Sequence, residues 1–149
     1  MSSRYAATDS PAVGIVWPAL VAYSLVVCAL HFGGLAYEVY TSVWWWDLLT
    51  HSLSGFGVAA WLCFVRVTPF DSRQVVAVSL AVLAIGAGFE VYEYLFKDFY
   101  VDWTTAYYAT DTVIDLTLDA LGAAAFALWH GRRAETGDAE ASVATQSSR

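Results

Sequence analysis

Of the 149 residues, 58% are apolar and 14% charged, and the mean hydropathy is +0.52. That balance excludes an ordinary soluble domain, whose apolar positions are interrupted every few residues by a solvated face. Fourteen acidic against seven basic residues give a formal net charge of −7, which argues against nucleic-acid binding and against charge-driven docking on anionic lipid.

Four stretches of about twenty apolar residues follow along the chain, each long enough to cross a hydrocarbon layer of roughly 30 Å. The first, residues 16–37, carries Pro18 in its opening turn, where a missing N–H is harmless. It is too long for a signal peptide and has no small-residue cleavage site, so it is expected to remain as a helix. The second, residues 45–65, follows a Thr41-Ser42 turn and the cluster Trp44-Trp45-Trp46, which suits an interfacial aromatic belt. The third, residues 75–96, is entered from the turn Pro69-Phe70-Asp71-Ser72. The fourth, residues 109–129, ends near Gly131 and the pair Arg132-Arg133. Cys28 and Cys63 sit alone in apolar stretches and read as packing residues.

The expected fold is all-α: a polytopic membrane protein with a four-transmembrane-helix bundle over residues 1–133 and a disordered acidic tail over residues 134–149. Arg4, Arg66, Arg73, Arg132, Arg133 and Arg149 fall on one side of such a bundle and Lys97 on the other. The positive-inside rule then predicts a multi-pass protein of the cell membrane with both termini cytoplasmic. Its outward loops are residues 38–44 and residues 97–108, the second both aromatic and acidic and placed to cover an outward-facing pocket.

Acidic and histidine residues recur at helical spacing in this scheme. Asp47 and His51 are four apart, Glu90 and Glu93 three apart, and Asp111, Asp115 and Asp119 make a stripe at i, i+4 and i+8. His31 and Glu38 share a face of the first span. Although alternate helices run in opposite directions, the polar residues always come at the outer end, so His31, His51, Glu90 and Asp115 fall at a similar depth. A carboxylate at the centre of a membrane helix costs about 2.5–3.5 kcal/mol, and no Lys or Arg lies inside any span to offset it. Protonation, mutual hydrogen bonding, a watery cavity or bound cations remain.

Carboxylates and imidazole facing inward in a helical bundle are the donor set of carboxylate metal sites. The expected ligands are Asp47, His51, Glu90, Asp115 and Asp119, the expected cofactor is a divalent ion such as Zn, Mn or Fe, and Glu93 or Asp111 is the candidate general base. Gly55, Gly57, Gly86, Gly88 and Gly122 flank these residues and allow close helix approach. His130, beside the terminal arginines, reads as interfacial.

The ordered pattern Asp47-x-x-x-His51, Glu90-x-x-Glu93, Asp111-x-x-x-Asp115-x-x-x-Asp119-x-x-Gly122-Ala123 resembles the YjdF-like family of small inner-membrane proteins and, more distantly, the VanZ-like proteins, over about residues 44–126. The YjdF-like resemblance implies a membrane protein of unassigned activity. The VanZ-like one, through glycopeptide resistance, implies a link to the cell envelope.

Beside a structural or accessory membrane subunit whose acids merely satisfy one another, two functions are open on the sequence alone. One is a metal-dependent enzyme acting on a lipid or envelope substrate; the other is a cation or proton transporter or channel subunit that uses the same carboxylates. No nucleophile elbow, P-loop or HExxH motif narrows the first to a reaction class. The expected partners are the lipid bilayer and either further copies of the chain or a larger membrane complex.

Overall fold

The computed structural model describes the backbone of residues 11–65, 72–96 and 103–147, and the side chains of residues 17–64, 73–96, 103–132 and 146–147. The described residues form helices and no strand: α1 (Pro11–Ala36), α2 (Val39–Ser42), α3 (Trp46–Val65), α4 (Ser72–Phe96) and α5 (Thr105–Ser147). They divide into two compact units, Met1–Trp46 and Asp47–Arg149. The expected turn at Pro69-Phe70-Asp71 and the loop positions Lys97, Asp98 and Asp102 lie outside the described residues.

In the first unit, α1 starts earlier than its apolar stretch, so Pro18 lies inside the helix and not in its opening turn. Membrane helices tolerate such a proline because the freed backbone group finds other partners. After α1 the chain reverses at Glu38, whose φ of 54° and ψ of 32° are left-handed. The Glu38 carbonyl accepts hydrogen bonds from Thr41 Oγ1 at 2.8 Å and Ser42 Oγ at 2.9 Å, which holds the tight turn into α2. The reversal brings Tyr40 and Trp46 over Gly34, where an added Cβ would stand 2.7 Å from the Tyr40 ring and 2.5 Å from Trp46 Nε1.

In the second unit, side-chain pairings fix the helix directions. Gly86 of α4 meets Asp119 of α5, Glu90 meets Thr112, and Tyr94 meets Tyr108, so α4 and α5 are antiparallel. His51 of α3 meets Asp115, Gly55 meets Asp119, and Phe56 meets Phe126, so α3 and α5 are parallel. The α3–α5 crossing is made by glycines. A Cβ at Gly55 would collide with the Asp119 carbonyl oxygen, and one at Gly122 would collide with that of Ser52 and stand 2.9 Å from the Phe56 nitrogen. Ala59, Ala60, Val78, Val82, Ala123, Phe126 and Ala127 form a small buried core beyond this crossing.

Among the described residues, three helices are long and apolar enough to cross a membrane, over Trp17–Ala36, Arg73–Phe96 and Thr105–Arg132. The 20-residue α3 carries Asp47, Thr50, His51, Ser52 and Ser54 in its first half and a run of apolar residues in its second. The distribution of side chains is that of a membrane protein. Leu80, Val91, Leu95, Val113 and Leu121 are more than half exposed, while Thr50, Glu90, Asp115 and Asp119 are buried. At its far end the backbone of α5 stays helical to Ser147, well into the segment whose composition suggests a disordered tail. Alanine and glutamate, frequent there, are good helix formers.

Candidate metal centre

The centre is built where α3 and α5 begin and α4 ends. Because α3 starts at Trp46, Asp47 falls in its first turn, where the helix N-terminus favours negative charge. Thr50 Oγ1 donates to the Asp47 carbonyl at 3.0 Å and is itself buried. One turn on, His51 Nε2 lies 3.6 Å from Asp47 Oδ1. The parallel α5 supplies Asp115, whose Oδ2 is 3.8 Å from the same Nε2. Asp119 comes to the opposite edge of the ring, with Oδ1 3.5 Å from His51 Nδ1. One imidazole therefore has carboxylates at both nitrogens.

Burial makes this grouping consequential. The side chains of His51, Asp115 and Asp119 are 12%, 4% and 7% exposed, and that of Asp47 is 32% exposed. Asp115 and Asp119 each face His51 among the described residues, and His51 Nδ1 and Asp115 Oδ1 are buried without a hydrogen-bond partner. Buried polar atoms left in that state cost about 1–3 kcal/mol each.

Asp47, His51 and Asp115 each offer one donor atom, and the three atoms lie within 4.8 Å of one another. Two donors on one ion stand at most about 4.4 Å apart, twice a bond of roughly 2.2 Å. A contraction of a few tenths of an ångström closes the difference. One nitrogen and several carboxylate oxygens suit Zn, Mn or Fe, so the residues present fit the expected ion.

The other expected residues surround this group. Glu90 is 5% exposed and lies in the α4–α5 seam, where its Oε2 accepts a hydrogen bond from Thr112 Oγ1 at 2.9 Å and its carbonyl one from Tyr108 OH at 3.2 Å. It stands outside the three-donor group, within the electrostatic reach of His51, Glu93 and Asp111. Glu93 and Asp111 are half-buried, and Asp111 feels the charges of Asp47, His51 and Glu93. His31 belongs to the first unit, where its Nδ1 is hydrogen-bonded to Tyr40 OH at 2.8 Å. His130 is exposed and stacks on Phe126 with ring centroids 5.7 Å apart.

Sequence reasoning missed Thr112 and Tyr108 as partners of Glu90. Thr112 precedes Asp115 by three residues and so shares its face of α5, which was the available signal. Gly55, Gly86 and Gly122 do serve close approach, whereas a Cβ at Gly88 would meet nothing within 4 Å.

No curated protein and no solved structure matches the chain significantly. Residues 15–136, most of the chain, match the family described as "Predicted membrane protein (DUF2238)". With its apolar helices, outward-facing leucines and valines and buried carboxylates, the chain belongs to this membrane-protein family.

Proposed function

We propose that the chain is a four-span protein of the cell membrane whose second unit holds a divalent metal ion between Asp47, His51 and Asp115, near the outer surface. The observation that carries this reading is the three-donor group within 4.8 Å, half-buried at Asp47 and His51 and buried at Asp115, with Asp115 Oδ1 buried and lacking a hydrogen-bond partner. Support for α3 as a span comes from its direction. Because it runs parallel to α5 and antiparallel to α4, it crosses in the sense that a second of four alternating spans requires. Its 20 residues reach about 30 Å. The arginine distribution supports cytoplasmic termini, and the ordered motif supports kinship with YjdF-like proteins.

A bound divalent ion supplies Lewis-acid polarisation of a substrate oxygen. Asp47 and Asp115 neutralise its charge and fix its position, and His51 adds one neutral donor. Glu93 and Asp111, half-buried on the outer side, are placed to accept or return a proton. Leucine, valine and aromatic faces around the unit exclude water and fit a lipid or envelope substrate that arrives from the bilayer.

A second reading rests on the stripe Asp111, Asp115 and Asp119, which descends from half-buried to fully buried along α5 and would pass cations or protons inward. Elemental analysis of the purified protein, prepared without chelator beside His51→Ala and Asp115→Ala, separates the two. Stoichiometric metal in the wild type, lost in both variants, is the expected result. No metal in the wild type, with cation flux in proteoliposomes that Asp119→Asn abolishes, establishes the second reading instead.

A further inference from the structure

We propose that Asp119 is the positioning carboxylate of His51: it accepts the Nδ1–H and so presents Nε2, free of its proton, to the ion shared with Asp47 and Asp115. This rests on the metal reading above and assigns Asp119 a role different from that of a ligand. The two edges of the imidazole are unequal. Nε2 faces two carboxylates, Asp47 at 3.6 Å and Asp115 at 3.8 Å, whereas Nδ1 faces Asp119 at 3.5 Å. An ion binds where donors converge, which is the Nε2 edge.

Nδ1 is then the nitrogen that keeps the hydrogen, and a buried N–H needs an acceptor. Asp119 Oδ1 lies a few tenths of an ångström beyond hydrogen-bond length from it. Metal-bound histidines commonly donate their second N–H to a carboxylate, which fixes the tautomer and raises the basicity of the ligating nitrogen.

Asp119 is also held in place from two sides. Its backbone lies against Gly55 of α3, and its Oδ2 occupies the space where a Cβ on Gly86 of α4 would stand, 2.5 Å away. With its backbone against Gly55 and its carboxylate against Gly86, Asp119 stands at the Nδ1 edge of the ring. The three helices thus meet at the residue that orients the imidazole, and helix packing sets the direction of the ligand.

The test uses the full-length protein in detergent with ¹⁵N-labelled histidine and no metal. The His51 Nδ1–H gives a low-field proton signal, assigned by its loss in His51→Gln. It is expected in the wild type, shifted in Asp119→Asn and lost in Asp119→Leu. A signal that is absent from the wild type, or unchanged in Asp119→Asn, overturns the proposal, and Asp119→Asn decides alone if the leucine variant does not fold. With Zn²⁺ added, Asp119→Asn is expected to weaken binding by about 10–100-fold while X-ray absorption counts the same number of ligands. A shell smaller by one oxygen makes Asp119 a ligand and overturns the assignment. If the wild type binds no Zn²⁺, the metal reading fails, while the proton signal still decides the Asp119–His51 pair.

Discussion

The hydroxyl of Thr112 donates to Glu90 Oε2 at 2.9 Å, joining α5 to α4 beside the cluster around His51. Thr112→Val leaves that buried carboxyl oxygen without its donor, a loss of about 1–3 kcal/mol. The thermal unfolding midpoint in detergent is expected to fall for Thr112→Val and to stay near wild type for Thr112→Ser. Equal midpoints for all three proteins would show that the bond contributes nothing to the seam.

The glycines of the α3–α5 crossing predict a graded series. Gly55→Ala and Gly122→Ala drive a methyl into backbone and are expected to destabilise by about 1–3 kcal/mol. Gly88→Ala meets open space on an exposed helical position and is expected to be neutral or to stabilise by about 0.5–1 kcal/mol through helix propensity alone. Unfolding of the three variants side by side checks this, and a destabilised Gly88→Ala would count against the helix faces described.

The proposed metal site predicts a link between metal and stability. An ion that binds the folded state at a hundred times its dissociation constant adds about 2.7 kcal/mol, so the unfolding midpoint is expected to rise with Zn²⁺ or Mn²⁺ and to fall again with chelator. Asp115→Asn should abolish that rise. A metal-dependent rise retained in Asp115→Asn would remove that residue from the site.

Tyr40→Phe breaks the hydrogen bond to His31 Nδ1 and is expected to cost about 0.5–1.5 kcal/mol. Metal content should not change, since His31 belongs to the first unit and not to the three-donor group. Elemental analysis of the Tyr40→Phe and His31→Gln variants checks this, and a loss of metal in either would place His31 among the ligands.

Much of the site was legible because helical period is a local property. Asp47 with His51 and Asp111 with Asp115 were readable as shared faces from spacing alone. The different place of Asp119 was not, and the reason is geometric: each step of four residues turns a side chain by about 40°, so the stripe rotates by about 80° between Asp111 and Asp119. That rotation, with the closeness allowed by Gly55 and Gly86, carries Asp119 to the other edge of the imidazole.

The partner of His31 depended on Glu38 taking a left-handed conformation, which a non-glycine residue seldom adopts and which no periodicity announces. The four apolar stretches translated into helices α1, α3, α4 and α5, with the polar residues of α3 gathered in its first half.

The parallel pairing of α3 with α5 also bears on how the protein is made. If α3 is a span, as proposed, it enters the membrane with Asp47 and His51 before Asp115 and Asp119 have been translated, and the Gly55 face meets the Asp119 backbone only once α5 arrives. On that reading the polar face of α3 waits for the last helix before its close contacts across the crossing can form. A chain cut short after α4 presents that face to lipid and is a natural target for membrane quality control.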